Sequence, residues 1–214
     1  MKHLPLVPLS ASRCKVIRLS AVLVLLALPS LGTAAEHGDR YFGRCDVIFK
    51  VDSTMHAFTG DITNIALVVF CDTNSAGEAT LNTQIEIAPG QLSTHHKKRD
   101  ADMYRMFRPE LYPKLLASVS NAPLVAANLA PGTLPSRPGR LPVRLTFCGV
   151  TQEVQAATLN PQAQADGWTF DLVTDVSLKA FHIVPPSAML GMLKVGDIVI
   201  VKAHVTVKKE PATP

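Results

Sequence analysis

From Cys45 to Val207 the chain returns again and again to one pattern, apolar and polar residues in alternation, which is the period of a strand buried on one face only. Cys45, Val47, Phe49 and Val51 fall on one side of an extended segment, with Asp46, Lys50 and Asp52 on the other. Leu81, Thr83, Ile85 and Ile87 repeat the pattern around Asn82, Gln84 and Glu86. Leu141, Val143, Leu145 and Phe147 oppose Arg144 and Thr146, and after a turn at Gly149 the stretch Gln152 to Leu159 returns antiparallel. The longest stripe is Trp168, Phe170, Leu172, Val176 and Leu178, set against Thr169, Asp171, Asp175 and Ser177. In the last, Val199, Val201, Ala203, Val205 and Val207 alternate with Lys202, His204 and Thr206. Ile65 to Cys71 is apolar on both faces, so periodicity does not tell which side is buried.

Helical period is scarce. Asp100 is suited to N-cap a short helix through Met103, Tyr104, Met106 and Phe107 that Pro109 would end, covering an end or seam of the sheet. Asn121 to Pro138, rich in Pro, Ala, Gly and Asn, reads as a long exposed loop, and Lys208 to Pro214 as a frayed tail. Seven or eight such strands pack as a two-sheet sandwich or close into a barrel, and alternation alone does not choose. Closure of about eight strands removes exposed edges and leaves room for side chains or one small ligand.

The first 35 residues have the form of an export signal. Lys2, Arg13, Lys15 and Arg18 form its basic region, Ala21 to Leu28 its apolar run and Thr33-Ala34-Ala35 its cleavage site, so a mature chain would begin at Glu36. The run is far below the roughly 20 residues of a transmembrane helix, and no permanent span is expected. Those four basic residues, of 21 in the chain, are unopposed by acids, which leaves the remainder balanced against 17 acidic residues. A neutral mature chain has no positive field to hold nucleic acid. Cys14 leaves with the signal. Of Cys45, Cys71 and Cys148, the first two lie in early strands that are candidates to be neighbours, so an oxidising compartment could bridge them; the alternative is three reduced, buried thiols.

Four segments, in order, resemble the YceI-like family of polyisoprenoid-binding proteins. They are Phe49 to Gly60 (FKVDSTMHAFTG), Leu92 to Pro113 (LSTHHKKRDADMYRMFRPELYP), Leu145 to Val154 (LTFCGVTQEV) and Leu178 to Val207. The second is the most specific: Thr94, then Arg99-Asp100, a short helix, then Tyr112-Pro113. Cys148 stands where the family often has His. The resemblance implies an all-β, antiparallel lipocalin-like barrel over residues 36–207, with a helical turn near Pro186, exported to the periplasm. It implies an isoprenoid-type ligand, a polyprenyl or quinone tail, with no cofactor, and leaves room for a homodimer.

In such a barrel Phe49, Val51, Leu145, Phe147, Trp168, Phe170, Leu172, Val199 and Val201 would form an apolar lumen, either filled as a core or open to a lipid tail. Arg99 and Asp100 either orient a polar head group at the mouth or simply cap and pin the chain, the second being favoured because an N-cap carboxylate has a ready backbone partner. Tyr112-Pro113 fits a clasp at the start of a strand, since proline holds its own φ and biases the preceding residue to extended geometry. Adjacent His95 and His96 would point to opposite faces of an extended segment and do not chelate one metal ion with His56. No Gly-x-Ser-x-Gly occurs, and Cys148 has nothing local to lower its pKa, so catalysis is not expected. The competing roles are a ligand-free envelope scaffold using the 121–138 loop and, more remotely, an enzyme acting through Cys148.

Overall fold

The alternating stripes close on themselves. The computed structural model describes residues 38–130, 138–185, 187–188 and 193–211. Its strands are β1 (Asp39–Ser53), β2 (Phe58–Thr73), β3 (Ala79–Ile87), β4 (Leu115–Pro123), β5 (Gly139–Phe147), β6 (Val150–Gln164), β7 (Gly167–Ser177), β8 (Ser187–Ala188) and β9 (Leu193–Lys209). Each pairs antiparallel with its neighbour from β1 to β7, β7 pairs with β9, and β9 pairs back onto β1 from Val51↔Val199 to Tyr41↔Lys209. That last pairing makes an eight-stranded antiparallel barrel and leaves no long edge among these eight strands; the two-residue β8 adds only a short hairpin to β9. The signal-peptide expectation lies outside the described residues.

β1 and β2 carry the register argument. Inward residues of β1 are Cys45, Val47, Phe49 and Val51, as the alternation predicts. In β2 the ambiguity is settled: Ile65, Leu67, Val69 and Cys71 face in. Between Ile62 and Ile65 the inward spacing lengthens from two residues to three, with Asn64 at φ 59° and its N–H donated to the Asp46 carboxylate at 2.6 Å. This is a bulge that keeps both halves of a long strand facing the same interior. Gly60 has a specific duty here, since a Cβ on it would lie 2.2 Å from the Phe49 ring and 2.5 Å from the Ser93 carbonyl. Its absence lets Ser93 exchange backbone hydrogen bonds with Asp61, tying the segment before the helix to β2.

Several expectations change. The helix α1 spans Lys97–Phe107 and is N-capped by His96, whose ring nitrogen accepts from the Arg99 N–H, so Asp100 sits inside the first turn rather than before it. The carboxylate has a better use: it accepts from the N–H and hydroxyl of Thr94 and from the Ser93 hydroxyl, pinning the loop ahead of the helix. A helical turn forms at Lys179–Phe181, ahead of the place expected, and Pro186 itself lies outside the described residues. The last strand continues to Lys209, so two residues assigned to the tail are paired, with Lys209 reaching Asp39 and Glu210 donating to the Arg40 carbonyl. β4 has only a weak stripe of Leu115, Ala117 and Val119, and the sequence reading passed over it.

The Asn121 to Pro138 loop is the largest revision. Its first three residues belong to β4, and the turn beyond them buries Leu124, Ala127 and Leu129, at 4%, 0% and 4% exposure. Leu124 donates to the Ala79 carbonyl, Leu129 to Leu124 and Arg140 to Ala126, so the segment folds back into the barrel. Residues 131–137 lie outside the described residues.

Cys45 and Cys71 do sit on paired strands, but they are not bridged. Cys45 stands opposite Ile65 while Cys71 stands opposite Asp39, about six residues further along the ladder, roughly 20 Å at about 3.3 Å per residue. That is far beyond the roughly 7 Å between α-carbons that a disulfide tolerates.

Candidate functional site: an apolar lumen open at one end

The barrel encloses a cavity of about 580 Å³. This falls within the roughly 300–1,000 Å³ usual for ligand pockets. Phe49, Val51, Leu145, Phe147, Trp168, Phe170, Leu172, Val199 and Val201 all line it. The sequence reading missed an equal contribution from β2 and β4, where Ile65, Leu67, Val69, Leu115 and Val119 complete the wall. It also missed the underside of α1, whose Met103, Met106 and Phe107 form part of the lining. The spacing of these three residues, i, i+3 and i+4, is the signal that one face of the helix is a wall.

The two ends differ. At one, the Tyr41 and Trp168 rings meet with centroids 4.5 Å apart, and Leu124 and Leu129 come in beneath the strand ends. At the other lie the β1–β2 tip, α1, the β5–β6 turn and the start of β9. His56, His96 and Lys98 line the cavity there while remaining exposed, so the lumen reaches solvent at this end.

α1 is held over that end by specific bonds. The Tyr104 hydroxyl donates to the Leu92 carbonyl at 2.9 Å, and Arg99 donates to the Thr94 carbonyl at 2.9 Å while its guanidinium lies 4.5 Å from the centre of the Phe58 ring. The Arg99 Nε is buried with no hydrogen-bond partner among the described residues, an expensive state. Burial pushes the Asp100 carboxyl up, but the Thr94 and Ser93 hydrogen bonds and the Arg99 charge outweigh it and hold the group below the ordinary carboxylate value. Asp100 therefore acts on the loop, whereas Arg99 faces the lumen.

Tyr112-Pro113 immediately precedes β4. The Tyr112 ring lies beside Gly149, where a Cβ would come within 2.9 Å of it, and the Arg108 guanidinium lies over the ring, 5.0 Å from its centre. Gly149 and Cys148 form a two-residue hairpin with φ of 78° and 50°, the positive-φ pair of a type I′ turn. Cys148 is buried there with its thiol donating to the Phe107 carbonyl at 3.4 Å, which ties the hairpin to the end of α1. That is a structural duty.

The thiols that line the lumen are not activated. Burial, reinforced by the Asp46 charge, pushes the Cys45 thiol up to about 12, and burial with the Asp39 and Asp72 charges pushes Cys71 up to about 11. Both are neutral thiols at physiological pH and poor nucleophiles. Asp171, the most deeply buried carboxylate among the described residues, alternates out of the lumen and accepts from His204 at 2.8 Å, Asn160 at 2.9 Å and Lys202 at 3.1 Å on the outer wall. Among the described residues no group of three His, Cys, Asp or Glu side chains is placed to hold a metal ion. His95 pairs instead with Asp61 at 3.0 Å. No helix of the described residues is long and apolar enough to cross a membrane.

No protein-family model matches the chain, and no curated protein matches it. Solved structures do. A polyisoprenoid binding domain from Saccharophagus degradans superposes with a TM-score of 0.56 at 13% identity, over 79% of this chain and 98% of that one. BcnA from Burkholderia cenocepacia gives 0.53 at 15% identity, over 75% and 94%. The lipocalin-like barrel of those proteins is the fold of this chain.

Proposed function

We propose that this protein is an exported, periplasmic member of the YceI-like family that holds the isoprenoid tail of a lipid in its barrel and releases it without chemistry. The observation that carries the reading is a lumen walled almost wholly by apolar side chains, plugged at one end and open at the other. That shape suits a molecule with an oily tail and a polar end. The fold shared with a polyisoprenoid binding domain, the four ordered motifs and the raised, unreactive Cys45 and Cys71 thiols all support it.

The energetics favour a long tail. Each buried methylene contributes about 0.8 kcal/mol, so an isoprene unit of five carbons contributes roughly 3–4 kcal/mol. Association costs about 4–15 kcal/mol in lost freedom, so roughly one to five units break even and further units bring net affinity until the lumen is full. At the open end Arg99, Lys98, His96 and His56 offer donors to a polar head group. The inward fold of Leu124 and Leu129 makes residues 121–130 part of the lumen's closed end, which weighs against the scaffold alternative.

Trp168 lines the lumen and is the chain's one tryptophan, so its fluorescence reports filling directly. Added quinones or polyprenols of increasing tail length should quench or shift it with affinity that climbs and then levels off, and native mass spectrometry of protein purified from cells should show a hydrophobic adduct. Protein that is always empty, with emission unmoved by any tail, would overturn the carrier reading.

A further inference from the structure

The open end of the barrel carries more than the mouth. Met55 tips the β1–β2 connection at 68% exposure, and Val184, in the connection after β7 at the same end, is 83% exposed. Neither is needed to close the barrel, and two large apolar side chains held out in water beside an apolar opening are a cost unless something covers them. Three lysines stand near them. Lys97 and Lys98 begin α1 at the rim, and Lys194 begins β9, whose backbone is tied to the β1–β2 tip through the Thr54 N–H and the Lys194 carbonyl at 3.1 Å. Among the described residues none of these three lysines is in an ion pair.

Several of the acids at this end are occupied. Asp61 is paired with His95, Asp102 with Arg105, Asp100 turns into the Thr94 loop, and Asp197 accepts from the Lys179 N–H and the Ser177 hydroxyl. Asp52, Glu110, Glu153 and Asp175 are the acids towards this end with no ion pair among the described residues, against Lys97, Lys98, Lys194 and the rim histidines His56 and His96. At the plugged end three basic side chains are paired, Arg40 with Glu210, Lys208 with Asp166 and Lys209 with Asp39, while Arg140 is in no ion pair among the described residues. Unpaired lysines with exposed apolar tips between them are the chemistry of a surface that meets an anionic bilayer, where the lysines lie over head groups and the tips enter the interface.

We propose that the open end of the barrel docks reversibly on an anionic lipid bilayer, with Met55 and Val184 in the interface and Lys97, Lys98 and Lys194 over the head groups. The mouth then faces the membrane, and a tail passes between bilayer and lumen without crossing water. This rests on the carrier reading for its purpose but is tested apart from it.

The test is co-sedimentation of the protein with vesicles of phosphatidylglycerol and phosphatidylcholine in equal parts, against vesicles of phosphatidylcholine alone. The protein should bind the mixed vesicles and be released by salt. K97E/K194E should weaken that binding by about tenfold or more, given a factor of about five for each basic residue near a charged surface. M55D should weaken it as well, and circular dichroism should show both variants folded. Equal binding to both vesicle types, no binding to either, or full binding by K97E/K194E would overturn the proposal. Lumen filling is read separately from Trp168 emission on adding ubiquinone in detergent solution, where no bilayer is present. Variants that fill normally yet leave the vesicles support docking, while vesicle binding by a protein whose lumen never fills removes the carrier reading and leaves docking standing.

Discussion

At one end of the barrel Leu124, Ala127 and Leu129 fold inward beside the stacked Tyr41 and Trp168 rings; at the other, Met55, His56, His96 and Lys98 stand in solvent around the mouth. Both ends are made of the connections between strands, yet one turns apolar side chains in while the other leaves its rim in solvent. A closed barrel has no intrinsic reason to prefer either. The difference arises because the β4–β5 connection has apolar residues spaced to turn in, while the β1–β2 tip is a four-residue turn too short to fold back over the lumen. A vessel rather than a pore is the consequence.

The largest effect that tests this asymmetry is the same charge placed at each end. L129D puts an unpaired carboxylate into the plug and should cost about 4 kcal/mol or more, enough to unfold a marginal domain. M55D at the open end should stay within about 0.5 kcal/mol of the parent. Urea denaturation followed by far-UV circular dichroism compares them, and equal losses would mean the ends are not different in kind.

An intermediate effect is expected at Asp100. D100A strands the Thr94 N–H and hydroxyl and should cost about 1–3 kcal/mol. Because the folded carboxyl is held below its ordinary value, its contribution is fully present above about pH 4 and is lost as pH falls through the depressed folded value. The acid limb of the stability profile should therefore be shallower in D100A than in the parent. A parallel acid limb would show that the loop is pinned by something else.

A smaller effect separates wall from plug. Val201 is only half-buried in the cavity wall, so V201A should cost only about 1 kcal/mol, against about 2–5 kcal/mol for L129A, whose larger side chain borders the cavity but is 4% exposed. If V201A costs as much as L129A, the lumen is filled rather than hollow. Smallest in energy is the thiol count: Cys45, Cys71 and Cys148 should all titrate as free thiols after denaturation without reductant, and Cys45 and Cys148 should react slowly in the native protein. Finding one thiol would restore a bridge.

Much of the wall was legible because a strand shows its buried face at every second residue. Phe49, Leu145, Phe170 and Val201 could be placed inward with no knowledge of their partners. Where that local signal failed, so did the reading. β2 is apolar on both faces because Arg40 lies over the outward Phe42 and Phe70 rings, at 5.0 and 5.5 Å, so composition there reports contacts with a neighbouring strand. Asp100 resembles an N-cap, but the cap is a question of φ and of which N–H is nearest, and His96 meets it first. A disulfide between Cys45 and Cys71 required only adjacent strands to look reasonable, and register rules it out.

What the chain's order of residues determined alone is the set of strands with a dry side and the loop-helix-clasp series from Thr94 to Pro113, because alternation, capping and proline geometry act over a few neighbours. Closure of β9 onto β1, the burial of Leu124 and Leu129, and the meeting of β-turn, helix and β9 around one mouth were decided only by the tertiary structure. Those features depend on contacts between residues far apart in sequence, Leu124 with Ala79 and Val51 with Val199, and no local pattern carries that information.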